Sequence, residues 1–119
     1  MDTRTKILIA EAAPRACTVV TGAFDPVLAD DARELADIRA NHPACPLLVV
    51  VLPISGELLS GRARAELVAA LRMVDYVVTA PDAATDALLA TLEPAYLVRL
   101  EGAQAVRKRQ LMEIGRAHV

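Results

Sequence analysis

The stretch that most limits what this chain can fold into is Leu47-Leu48-Val49-Val50-Val51-Leu52, six apolar residues in a row with no polar alternation. A strand with one wet face alternates apolar and polar side chains. An unbroken run of this length reads instead as a strand covered on both faces, the environment of a parallel sheet between two helical layers. Residues 17–21 (CTVVT), 76–79 (YVVT) and 96–100 (YLVRL) repeat the theme in shorter form. Between these runs the period lengthens. Ala32, Leu35, Ala36, Ile38 and Arg39 mark an amphipathic helix that begins at Asp30, with Asp30 or Asp31 as its N-cap and Asn41-His42-Pro43 as its end. Residues 62–73 give the clearest helix, with Leu67, Val68 and Leu71 inward, residues 83–92 a third that starts after Pro81-Asp82, and residues 104–112 a fourth. Strands alternating with helices of this length form right-handed crossovers. The expected fold class is therefore α/β: a Rossmann-like three-layer α/β/α arrangement with a parallel sheet of four to five strands.

A chain of 119 residues fits one such unit, and 55% apolar content with only 3% aromatic predicts a core of Ala, Val, Leu and Ile. Residues 1–15 read as an N-terminal arm with one helical turn and residues 16–113 as the α/β domain. The last six residues, 114–119 (IGRAHV), look like one reading frame of a common sequencing adapter, which predicts that the natural sequence differs beyond about Glu113. A net charge of -2 excludes a strong general attraction for nucleic acid or an anionic membrane. Arg107-Lys108-Arg109 is read as a solvated helix face. Cys17 and Cys45 form no CxxC pair and are assigned to packing. No leader-like segment opens the chain and its longest apolar run, residues 46–54, is too short to span a bilayer, so a cytoplasmic location is expected.

In a doubly wound sheet, ligands bind beyond the carboxyl ends of the strands. The first strand delivers Thr21-Gly22-Ala23-Phe24-Asp25 to that edge. This turn, the helix ARELADIR that follows, and the later RAELVAALRMVDYVV together resemble the cytidylyltransferase-like nucleotidyltransferases, whose first turn reads T-x-G-x-F-D-x-x-H-x-G-H. The closest flavour is the glycerol-phosphate and heptose-phosphate branch. Gly22, Phe24 and Asp25 keep the spacing of G-x-F-D, and Arg64 and Arg72 bracket a helix leading into Val74-Asp75-Tyr76, as the family's two arginines do. The resemblance covers residues 6–100. It implies transfer of a nucleotidyl group from CTP or ATP to a phosphate-bearing acceptor, with Thr21, Gly22, Ala23, Phe24, Asp25, Arg64 and Arg72 as nucleotide-binding positions.

The reactive part of the motif is absent. Aligned without gaps from Gly22, the first histidine falls on Leu28, the glycine on Asp30 and the second histidine on Asp31. Leucine donates no hydrogen bond, and a carboxylate repels a triphosphate. One charge pair at 4 Å is worth roughly 4 kcal/mol at an effective dielectric of 20, here with the wrong sign for catalysis. The only histidines are His42, read as an exposed helix end, and His118 in the tail. Asp25 is read as capping its own turn and Phe24 as filling the space beneath it, while Arg64 and Arg72 face phosphate or pair with Asp30, Asp31 or Asp75. No catalytic residue is assigned. Two functions stand at this point. One is a degenerate nucleotidyltransferase-like domain acting as a nucleotide-binding, structural or dimer-forming module, alone or beside a fused partner domain. The other is an active cytidylyl- or adenylyltransferase for a sugar- or polyol-phosphate, with Mg²⁺ held by Asp25, Asp30 or Asp31.

Overall fold

The computed structural model describes residues 2–81 and 85–117, with side-chain environments through residue 114. Four strands, β1 (Thr18–Gly22), β2 (Leu47–Val51), β3 (Tyr76–Thr79) and β4 (Tyr96–Arg99), form one wholly parallel sheet in the order β3-β2-β1-β4. Four helices connect and follow them: α1 (Ala29–Asn41), α2 (Gly61–Ala69), α3 (Thr85–Leu92) and α4 (Glu101–Ala117). The three-layer α/β architecture is thus the one that the apolar runs require. The expected start of α3 at Ala83 lies outside the described residues, as does His118.

β1 and β2 are buried along their whole length because the sheet is covered on both sides. Strand alternation divides their side chains between two cores. Val20, Leu47, Val49, Val51 and Val77 meet Leu35 of α1 and Val68 of α2 on one face. Val19, Leu48, Val50 and Val78 meet Leu88, Leu89 and Leu92 of α3 and Ala10 and Ala13 of the arm on the other. The arm makes two short 3-10 turns, Thr3–Lys6 and Ala10–Ala12, and between them Ile7 bridges to Val77 at the β3 edge. Cys17 is fully buried in the second core, and burial pushes its thiol pKa up. No helix among the described residues is long and apolar enough to cross a membrane.

Four local expectations need correction. α1 starts one residue earlier than read, with Leu28 as N-cap, and Asp31 closes the first turn by accepting the Leu28 N–H at 2.9 Å. α2 stops at Ala69 rather than Met73. The crossover has only to retrace strands of four or five residues, which nine helical residues do at about 1.5 Å each. Asp75 then joins the sheet edge, where its carboxylate accepts the Leu47 N–H at 2.8 Å and pairs with Arg39. Leu67 faces outward and is exposed, whereas Val68 fills the core position. His42, at the end of α1, is half-buried rather than exposed and stacks on Tyr96 of β4 with ring centroids 3.9 Å apart.

The two-core division predicts a steep contrast between leucines. Leu35→Ala, at a fully buried position, is expected to cost about 2–5 kcal/mol. Leu58→Ala, at a position 64% exposed, is expected to change stability by no more than about 0.5 kcal/mol. Urea unfolding of both variants measures the difference.

Candidate functional site

The strand order reverses at β1, since β2 and β3 lie on one side of it and β4 on the other. The carboxyl ends of β1 and β4 therefore splay at the switch point, where a doubly wound sheet opens a crevice. A pocket of about 350 Å³ occupies that place. Ala23, Pro26 and Leu28 of the β1–α1 turn form one wall, Ala105 and Leu111 of α4 the opposite wall, and Ile54 of the β2–α2 loop the end. Asp25, Asp31, Glu101, Gln104 and Lys108 supply its polar groups.

Gly22 matters here for closeness of approach. A Cβ on it would stand 2.6 Å from Cε2 of Phe24 and 2.7 Å from Oε1 of Gln104. Without one, α4 brings the Gln104 side chain onto the turn, where Oε1 accepts the N–H of Ala23 at 2.7 Å and of Phe24 at 3.3 Å. Phe24 holds a left-handed backbone (φ 53°), which its wholly buried ring keeps in place. The amides of Ala23 and Phe24 are thus bonded within the chain.

The charged groups are matched in the same way. Asp25 does not cap its own turn. Its carboxylate reaches across to the β2–α2 loop, accepting the N–H groups of Leu58 at 2.6 Å and Leu59 at 2.8 Å, and Lys108 of α4 donates to it at 3.1 Å. Burial pushes the Asp25 pKa up, but the two amides and the ammonium together outweigh it and hold the group below the ordinary carboxylate value. Asp31, also buried, accepts from Gln104 Nε2 at 3.2 Å and from Arg107 at 2.6 Å. Arg107 also donates to Glu34 at 2.6 Å. Arg107 and Lys108 are accordingly not a solvated face, as the charge run suggested, but half-buried partners of the turn. Thr21 donates through its hydroxyl to Glu101 at 2.7 Å.

The two arginines part company. Arg64, 1% exposed, donates to the carbonyls of Ala23 and Leu52 at 2.8 Å each and of Leu59 at 3.2 Å, and pairs with Glu57 at 2.9 Å. It pairs with none of Asp30, Asp31 or Asp75, and its donors are turned into the loops. Arg72 follows the end of α2 at the amino-terminal side of β3, away from the crevice, and is exposed. The three aspartates of a metal-assisted site do not converge either. Asp30 is exposed and pairs with Arg33, while Asp25 and Asp31 are engaged as described. Among the described residues no group of three His, Cys, Asp or Glu side chains could hold a metal ion.

Of the positions singled out in the sequence, Ala23, Asp25, Leu28 and Asp31 line the crevice, Thr21 bonds to its Glu101, Gly22 and Phe24 lie against Gln104, and Arg64 holds the Ala23 carbonyl. Gln104, Arg107 and Lys108 were missed. A signal was present: with Leu111 they fall at i, i+3, i+4 and i+7, a single helix face. No protein-family model matches the chain, and no curated protein matches it in sequence.

Arg64→Met is expected to cost about 3 kcal/mol or more, because it leaves buried carbonyls unpaired at roughly 1–3 kcal/mol each, and Arg64→Lys recovers little of the loss because one ammonium does not reproduce the fork that reaches three carbonyls on two loops. Arg72→Ala is expected to stay within about 0.5 kcal/mol. Denaturant titration of the three variants checks both statements. The depressed Asp25 pKa gives a stabilisation that is fully present above the unfolded carboxylate value of about 3.9 and is lost as pH falls through the folded value. Asp25→Asn should therefore be less stable at neutral pH and show a shallower fall in melting temperature below about pH 4.

Proposed function

We propose that this chain is a degenerate member of the cytidylyltransferase-like nucleotidyltransferase superfamily, a pseudoenzyme that keeps the scaffold and the turn but serves as a non-catalytic binding or structural module. The observation that carries this reading is the hydrogen bonding of Gln104 to the amides of Ala23 and Phe24. A nucleotidyltransferase works by positioning phosphates and neutralising the charge that grows on them. Here the amides are engaged, Leu28 has no donor, and a carboxylate stands at position 31. The nearest cations, Arg107 and Lys108, are bound to carboxylates of the turn and of α1.

Incubation with CTP or ATP and a panel of sugar- and polyol-phosphates, with or without Mg²⁺, is expected to release pyrophosphate no faster than buffer alone. Release above background would sink the proposal. The triple variant Leu28→His, Asp30→Gly, Asp31→His restores the motif on paper. It also removes the buried partner of Arg107, a change of a kind that costs about 3–5 kcal/mol, so a lower melting temperature without gain of activity is expected.

A further inference from the structure

We infer that the crevice between the β1–α1 turn and α4 binds a compact, non-anionic molecule with a largely apolar body and an amine or similar N–H donor. The inference rests on the non-catalytic reading and names the ligand class of the same site. A volume of about 350 Å³ falls within the range of small-molecule pockets. It is too large to be a packing defect and has carbon-rich walls on both sides, from Pro26 and Leu28 on the turn to Ala105 and Leu111 on α4. An apolar body fits between those walls.

The polar groups decide the sign of the ligand. Three carboxylates, Asp25, Asp31 and Glu101, line the crevice against a single cation, Lys108. Lys108 is committed to Asp25, and Arg107 balances Asp31. Glu101 is the group with capacity to spare. Its Oε1 accepts from Thr21 at 2.7 Å, while Oε2 makes only a 4.0 Å ion pair with Arg99, too long for a hydrogen bond. An anion entering here meets the carboxylates of Asp25, Asp31 and Glu101, and Gln104 covers the turn amides of Ala23 and Phe24. An amine meets the Glu101 carboxylate, and the apolar walls of the same crevice take the body of the molecule.

Tryptamine and indole-3-acetate test this directly, since they share an aromatic body and differ in the sign of the charge. Titration calorimetry is expected to give tryptamine binding that is tighter by roughly tenfold or more, the effect of one partly screened charge pair. Cytidine is likewise expected to bind more tightly than CTP. Glu101→Gln should remove most of the difference between the two indoles, and Ala105→Trp, a substitution at an exposed helical position, should fill the crevice and abolish binding of both. Should Ala105→Trp fail to fold, Glu101→Gln alone decides. Equal or tighter binding of the anion, unchanged tryptamine binding in Ala105→Trp, or no tryptamine binding at all would overturn the inference. Tighter binding of CTP without pyrophosphate release would overturn this ligand class alone, whereas pyrophosphate release would remove the non-catalytic reading beneath it.

Discussion

The guanidinium of Arg64 sets the carboxyl edge of this sheet. Where parallel strands end, the chain must turn away, and the carbonyls of the turns are left pointing inward with no ladder to join. One planar, permanently charged fork answers three of them, Ala23, Leu52 and Leu59, from a position 1% exposed to solvent. Asp25 makes the reverse connection, from the β1–α1 turn to the amides of Leu58 and Leu59. The turn after β1 and the loop after β2 are therefore tied in both directions, donors one way and acceptors the other. Phe24 can hold its left-handed backbone because the turn around it has little freedom left.

α4 depends on that fixed edge. Its described outer residues include exposed apolar side chains at Val106, Met112 and Ile114. It is anchored by Leu100 just before it, packed in the first core, and by polar bonds from Gln104, Arg107 and Lys108 to groups that the turn and α1 hold in place. Polar anchoring is geometrically demanding in a way that apolar packing is not. It keeps the helix at a set distance from the turn and leaves the crevice open between them instead of collapsing it.

The sheet was legible in the sequence because burial on both faces leaves unbroken apolar runs, and β1, β2 and β3 fall within one residue of the runs that mark them. The end of α2 was not, because Ala70 to Met73 continue a helical pattern that Asp75 and Leu47 override through contacts far apart in sequence. The site divides similarly. Its turn is local, and Gly22, Phe24 and Asp25 announce it by spacing. The side chains that complete it come from α4, separated from their partners by 81 residues for Gln104 and Ala23, 76 for Arg107 and Asp31, and 83 for Lys108 and Asp25. No local rule pairs residues at that range, and a run of three basic residues defaults to a solvent-facing reading. Arg64 stands out in the sequence because it and Arg72 bracket the helix that leads into Val74-Asp75-Tyr76, but spacing alone cannot tell whether its donors face a ligand or the backbone, as they do here.

Asp31 brings these strands together. A carboxylate in the first turn of a helix is favourable by itself, since it complements the positive end of the dipole and satisfies a free amide, here that of Leu28. An anionic ligand at the same helix start would draw on the same field. With Asp31 present, the chain carries its own anion there, and Arg107 supplies the counter-charge that burial then demands. Gln104 completes the substitution by bonding one oxygen to the turn amides and its amide nitrogen to Asp31. Each of these groups is stable only because the others are present. Removing Asp31 would leave a largely buried guanidinium without one of its two carboxylates, and removing Gln104 would uncover amides beside a carboxylate that repels the anions they could bind. The proposed loss of nucleotidyl transfer is in that sense not a vacancy left by missing histidines. It is a closed set of internal bonds, and the crevice beside it, with its apolar walls and the Glu101 carboxylate, is what remains for a ligand to use.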